Sequence, residues 1–405
     1  MINPKLIEFI FQSSFIKRWN DYPRMVDFVE LDKQAHKFII AYFLGKLENN
    51  TDMKALIEAG IFEFLRRIVV TDIRPDVFRT ILKKKRKELN AWVVKILEDI
   101  IGDIEEGEFL DRFIKYIEDE SFWKRERFIL KAASYLSTKW EFSIIYQTSR
   151  FLSDIEETKK EIEDEIEDYY ELLGVRKAAL GKKLYKIIDL SGRLRFQTRW
   201  AQTPRIPQTT VLGHMGIVAI FSYFYSLKIN ACSKRLQNNF YAALFHDLPE
   251  ALTRDIISPV KYSVSGLDDI IMEIEINRIE NKILPLIPKN IEDEFKYLLG
   301  LYENDTKKDE FLNKIYKKSI KVVDTLSTYN EDEYNAIDGI ALKLCDRFAA
   351  FLESVVSISH GVKSNELIKA KDEILNRLKD EGLINGVNFY EYAKEAKNYF
   401  LGNSP

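Results

Sequence analysis

Apolar positions recur every three to four residues along most of the chain, as in LIEFIF from Leu6 and FLRRIVV from Phe64, the spacing of an amphipathic helix. Strand-like alternation is scarce, and only 10 prolines and 16 glycines punctuate 405 residues. The pattern predicts an all-α protein. Its longest apolar run, MGIVAIFSYFYSL from Met215, is shorter than a bilayer-spanning helix needs and reads as a core helix. Between 153 and 174 the pattern changes: SDIEETKKEIEDEIEDYYELLG is Glu-rich with few core-type positions, and glycines follow at 174, 181 and 192. We read 153–185 as a charged helical linker between a helical domain at 1–152 and a second at 186–405, a two-lobed helical bundle.

One apolar helical run carries an unusual insertion. FYAALFHDLPEALTRDI, residues 240–256, sets His246 beside Asp247. Burying the two without partners is costly, and the usual remedies are a polar network or a metal ion that uses both groups. On a continuous helix His246 and Glu250 stand one turn apart on one face, with Asp247 rotated by about 100° from His246. Pro249 removes one backbone hydrogen bond and is expected to kink that helix. His214, in a second apolar helix, and a later aspartate can complete a mixed nitrogen and oxygen ligand set.

The chain also echoes itself. RWNDYPR at 18–24 and RWAQTPR at 199–205 share Arg-Trp followed by Pro-Arg, and a histidine follows each, His36 and His214. FEFLRRIVVTDIRPDV at 62–77 resembles YAALFHDLPEALTRDIISPV at 241–260, with Arg66 and Arg67 where His246 and Asp247 stand. ILKAASYLSTKWE at 129–141 resembles ALKLCDRFAAFLE at 341–353, with Ser134 where Asp346 stands. These echoes suggest a duplication whose first copy kept the frame and lost the chemistry.

Composition narrows the function. A net charge of −3 argues against a general nucleic-acid binder, and the basic run KKKRK at 83–87 lacks interleaved aromatics and reads as a solvated helix face. The two cysteines, Cys232 and Cys345, form no CxxC pair and read as buried thiols in a reducing compartment. The N-terminal stretch lacks the order of a signal peptide, so a cytoplasmic location with no membrane partner is expected.

His, then His-Asp, then a distant Asp resembles the signature of HD-domain metal-dependent phosphohydrolases, with His214, His246, Asp247 and Asp346 in the matching places. The stretch from about 193 to 380 is similar to bacterial 5′-deoxynucleotidases of the YfbR-like type, through Arg199-Trp200, HDLPEALTRDIISPVK from His246 to Lys261, and CDRFAAFLESVVSISHG from Cys345 to Gly361. Leu212-Gly213 stand where that family has a polar or acidic residue before the first histidine. About thirty extra residues precede the last Asp and contain KVVDTLSTY, which makes Asp324 a rival fourth ligand. The resemblance makes the first domain a degenerate HD-like copy, with Arg18, Trp19 and His36 as structural remnants, and only the second keeps the metal site.

The resemblance implies that His214, His246, Asp247 and Asp346 hold one divalent ion (manganese, cobalt, magnesium, iron or zinc), which polarises a phosphoryl oxygen and activates water. It implies further that Glu250 orients or deprotonates that water, that Asp255 accepts a hydrogen bond from the nucleoside or from Arg199, that Arg199 clamps the phosphate and that Trp200 packs on the sugar. The expected activity is removal of the 5′-phosphate of (deoxy)ribonucleoside monophosphates. Alternatives are another HD phosphohydrolase, acting on nucleoside triphosphates, cyclic nucleotides or alarmones, and a non-catalytic nucleotide-binding regulator. Such enzymes pair as homodimers, and here the first half is expected to take the partner's place in an intramolecular pseudo-dimer, with a homodimer as the alternative.

Overall fold

The computed structural model describes residues 2–254 and 264–402, which divide into two compact units, Ile2–Arg176 and Lys177 onward. Both are helical, as the apolar spacing predicts.

The first unit is built from α1 (Pro4–Gln12), α2 (Glu30–Lys46), α3 (Met53–Val70), α4 (Pro75–Ile101), α5 (Glu108–Glu118), α6 (Lys124–Ser149) and α7 (Ile155–Glu167). A two-residue antiparallel pair, β1 (Lys17–Arg18) and β2 (Phe28–Val29), leads into α2. α2 is buried from Glu30 to Gly45 and packs on α6 and α3. The acidic stretch expected to be a free linker belongs to this unit, because Ile155, Ile162 and Ile166 form a helical stripe buried toward α6. Tyr22 Oη meets Asp154 Oδ2 at 3.3 Å and Thr158 Oγ1 at 2.8 Å, and Arg79 pairs with Glu165. The acidic residues dominate its composition, yet three isoleucines decide where it packs. A short helix, α8 (Leu173–Ala179), crosses the boundary between the units.

The second unit contains α9 (Lys183–Gly192), α10 (Val211–Lys228), α11 (Ser233–Phe245), α12 (Glu250–Thr253), α13 (Leu267–Arg278), α14 (Glu292–Leu298), α15 (Gly339–Ser359), α16 (Asn365–Glu381) and α17 (Phe389–Leu401). α10 is apolar and long enough to cross a membrane, but it is buried throughout and packs on α11 and α15 as the centre of the core. Thr210 caps it by accepting from Gly213 N at 2.9 Å.

The extra residues before the last Asp are mostly not helical, apart from one 3-10 turn at Asp332–Tyr334. They form β3 (Leu301–Tyr302) paired with β4 (Lys307–Lys308), and a three-stranded antiparallel sheet of β5 (Asn313–Tyr316), β6 (Ile320–Val322) and β7 (Ile337–Asp338) in the order β6-β5-β7. Ile315, Leu326 and Ala336 give this insertion a small core of its own. A last two-stranded pair, β8 (Leu383–Ile384) and β9 (Val387–Asn388), joins α16 to α17.

β7 hands the chain to α15 through a buried polar joint. The Asp338 carboxylate accepts from Arg235 Nε at 2.7 Å, Asn239 Nδ2 at 2.8 Å and Asn385 Nδ2 at 2.9 Å. At Gly339 a β-carbon would stand 2.1 Å from the Leu312 carbonyl oxygen, so the crossing of β7 over the insertion needs glycine there. The joint fixes the start of α15, the helix that carries Asp346 and Glu353.

Candidate metal centre

Three elements bring the candidate ligands together. His214 is the fourth residue of α10, Asp346 lies on α15, and His246 directly follows the last residue of α11. α11 is not a kinked continuous helix as expected. It ends at Phe245, a turn covers His246–Pro249, and the chain restarts as α12 at Glu250, since Pro249 offers no N–H to continue the ladder. His246 and Glu250 therefore sit on opposite sides of a turn instead of one turn apart on one helix.

Ligand atoms of His214, His246 and Asp346 all lie within 4.8 Å of one another. His214 Nε2 is 2.8 Å from Asp346 Oδ1, and His246 Nδ1 donates to the Ala243 carbonyl at 2.7 Å. That bond places the ring proton of neutral His246 on Nδ1 and leaves the Nε2 lone pair for another partner. Nε2 lies 3.1 Å from Asp247 Oδ2 but off the direction of a hydrogen bond, so this buried nitrogen has no hydrogen-bonded partner. Two imidazole nitrogens and a carboxylate, one nitrogen orphaned in a buried site, fit a divalent first-row ion. Asp247 adjoins this group, its Oδ2 3.1 Å from His246 Nε2 and 3.5 Å from Arg199 Nη1.

Burial raises the Asp247 pKa, but His246, Arg199 and His214 outweigh it and hold the carboxyl well below its usual range. Burial likewise works against ionised Asp346, and the His214 hydrogen bond and the charges of His246 and Arg199 lower it. His246 moves the opposite way, burial favouring its neutral form and the Asp247 carboxylate overriding burial to push it up.

Beside the ligand atoms stands the Arg199-Trp200 pair. Arg199 Nη1 is 3.5 Å from Asp247 Oδ2 and Arg199 Nε is 3.6 Å from Glu353 Oε2, separations too long for tight hydrogen bonds. Trp200 Nε1 donates to Glu353 Oε2 at 2.8 Å. Glu250 starts α12, its main-chain carbonyl accepts from Gln197 Nε2 at 3.0 Å, and its charge helps keep Arg199 protonated. Asp255 lies outside the described residues. Asp324 is exposed after β6 and is not in the group of His214, His246 and Asp346, its main-chain oxygen accepting from Asn313 Nδ2 at 3.2 Å.

Residues 191–375 match the family model described as HD domain. The second unit carries an HD domain. A 5′-deoxynucleotidase from Yersinia pseudotuberculosis serotype I is 22% identical over 192 residues, which cover 46% of this chain and 79% of that protein. The family is one of metal-dependent phosphohydrolases, and the HD domain here is of that class. Glu353 is the residue of this domain that sequence reasoning passed over. Its signal was present, since Glu141 and Glu353 end the two resembling segments in identical positions.

The first unit shares several local features with the HD domain. The Lys17–Val29 pair of β1 and β2 corresponds to an isolated antiparallel bridge between Thr198 and Thr210, and Glu30 N→Ile16 O and Val211 N→Gln197 O are both 2.9 Å. Trp19 and Trp200 adopt left-handed backbone at φ 58° and 57°, and Trp19 Nε1 donates to Glu141 Oε2 at 2.9 Å as Trp200 does to Glu353. In this register the fourth residue of α2 is Lys33, so Lys33 and not His36 occupies the position of His214. Lys33 Nζ donates to Ser134 Oγ at 2.6 Å where His214 faces Asp346. Arg67 Nε lies 3.4 Å from Glu30 Oε2, which also takes Arg18 Nη1 at 3.1 Å. His36 is buried elsewhere, 3.3 Å from Ser137 Oγ and edge-on to Trp140. Cys345 is a buried thiol as expected, whereas Cys232 is half-buried.

Proposed function

We propose that the HD domain removes the 5′-phosphate of nucleoside monophosphates, with deoxyribonucleotides preferred, using one divalent ion held by His214, His246, Asp346 and Asp247. The observation that carries this reading is the convergence of His214, His246 and Asp346 beside a buried arginine whose donors are not tied up in short hydrogen bonds. The 5′-deoxynucleotidase similar to this region supports the substrate class.

The bound ion supplies Lewis acidity at the phosphoryl oxygen and an activated water. The chain's own residues do the rest. Arg199 stays charged because Glu353, Asp346 and Asp247 outweigh the cost of its burial, and its planar fork suits a phosphate dianion. Trp200, anchored by its indole N–H, offers a ring face for the sugar. Glu250, across the turn from His246, would accept a proton from the attacking water. Asp255, on the resemblance alone, would accept a hydrogen bond from the nucleoside or from Arg199.

The first unit we read as a copy of the same fold in which Lys33, Arg67 and Ser134 stand where the ion and its ligands would be. The shared bridge, the shared tryptophan conformation and the shared indole-to-glutamate bond support that reading.

The deciding experiment is phosphate release by metal-stripped protein resupplied with Mn²⁺, Co²⁺ or Mg²⁺ on deoxy- and ribonucleoside mono- and triphosphates, beside Asp247→Ala. Metal-dependent release from deoxymonophosphates that vanishes in the variant is expected. Release confined to triphosphates, or none from any nucleotide, would overturn the substrate assignment.

A further inference from the structure

Glu353 lies on α15 two turns beyond Asp346, and its side chain is wholly enclosed. The two oxygens of its carboxylate face different groups. Oε1 accepts from Thr209 Oγ1 at 2.6 Å and lies 3.3 Å from His214 Nδ1. Oε2 accepts from Trp200 Nε1 at 2.8 Å and lies 3.6 Å from Arg199 Nε and 3.8 Å from Arg205 Nη1.

We propose that Glu353 is a positioning residue that sets the ring tautomer of His214 with one oxygen and the Arg199-Trp200 pair with the other, coupling the ion-holding side of the centre to the substrate-holding side. The inference rests on the ligand set of the proposed function. A neutral imidazole carries one N–H, and Nε2 can give its lone pair to an ion only when the proton is on Nδ1. Both oxygens of Glu353 already act as acceptors, from Thr209 Oγ1 and Trp200 Nε1, so the contact with His214 calls for Nδ1–H as its donor.

Two further observations separate this role from plain packing. Leu212 and Gly213 before His214 have no polar side chain to orient the ring, so orientation comes from a residue 139 positions downstream. In the first unit, Glu141 Oε2 takes both Trp19 Nε1 at 2.9 Å and Arg18 Nε at 3.0 Å, while Lys33 in the position of His214 bonds Ser134. Holding the Arg-Trp pair is thus common to both units, and orienting a histidine belongs to the HD domain alone.

The test compares Mn²⁺ affinity, by electron paramagnetic resonance titration, and the kcat and KM of phosphate release in the full chain, its Glu353→Gln and His214→Ala variants, and Glu141→Gln as the matched change in the first unit. Expected is a 10- to 100-fold loss of Mn²⁺ affinity in Glu353→Gln, the usual effect of removing the partner of a ligating histidine, together with a raised KM. Glu141→Gln should lower thermal stability without moving Mn²⁺ affinity. Wild-type Mn²⁺ affinity in Glu353→Gln would overturn the proposal, as would retained affinity in His214→Ala. If wild type releases no phosphate but Glu353→Gln still weakens Mn²⁺ binding, the hydrolase reading falls and this inference stands. Should Glu353→Gln fail to fold, ¹⁵N-histidine spectra of wild-type protein loaded with Zn²⁺ decide: a proton on His214 Nδ1 supports the proposal and one on Nε2 overturns it.

Discussion

Lys33 donates from Nζ to Ser134 Oγ at 2.6 Å in the interior of the first unit, an ammonium group in the position that a histidine holds in the HD domain. Burial and the nearby Arg18 lower its pKa to about 7. In the unfolded chain the same amine titrates near 10.4. Between those values the unfolded state binds more protons than the folded one, so stability rises with pH over that window. Urea unfolding from pH 7 to pH 10 should show this rise, and Lys33→Met should flatten it. An unchanged slope in the variant would assign the effect to other groups.

Ion stoichiometry separates the two units. One Mn²⁺ per chain is expected in equilibrium dialysis, falling to none in a His214→Ala, Asp346→Ala double variant. Saturation at about 100 times Kd should stabilise the protein by about 2.7 kcal/mol, and Lys33→Met should leave that increment unchanged. Two ions per chain would show that the first unit also binds metal.

Asp346 and Asp324 were rival ligands in the sequence, and their surroundings now differ sharply: one 2.8 Å from His214, the other exposed beyond β6. Asp346→Ala should lower phosphate release at least about a hundredfold, more than loss of a mere partner of a ligand. Asp324→Ala should leave both release and Mn²⁺ affinity within about twofold, as a change at an exposed site away from the centre does.

Asp338 offers a stability test remote from the chemistry. Its carboxylate neutralises buried Arg235 and accepts from Asn239 and Asn385. Asp338→Ala leaves that guanidinium buried and unpaired, and should cost about 3–5 kcal/mol in urea unfolding. A loss below about 1 kcal/mol would mean that the joint relaxes around the gap.

Helical periodicity, a local signal, identified the class of the fold because α2, α10 and α15 each present continuous apolar faces. The His214, His246 and Asp346 group was legible for a different reason: few residue types hold metal ions, and their order along the chain matched a known pattern. Three features escaped. The strands of β3 to β7 are two to four residues long, too short for alternation to register. The α7 stripe was masked by the acidic residues around Ile155, Ile162 and Ile166. Glu353 went unremarked because a single carboxylate in a helical run reads as a position on the solvated face, and only the folded chain shows that it faces inward. His36 misled through its type, when counting from the tryptophan would have selected Lys33.

The left-handed turn at Trp19 and Trp200 bears on what a sequence signature means. A bulky residue at positive φ carries a backbone penalty of about 1–3 kcal/mol, tolerated only where the surroundings enforce it. Both units accept that penalty, including the one in which Lys33 and Ser134 stand at the positions of His214 and Asp346. What the tryptophan secures in common is a latch, its indole hooked onto a glutamate from a distant helix, which holds the approach to α2 or α10 at a set angle. The Arg-Trp dipeptide is therefore a mark of architecture before it is a mark of catalysis. A genome survey keyed to it would score this polypeptide twice, although only the second latch shares its glutamate with a histidine of the His214, His246 and Asp346 group.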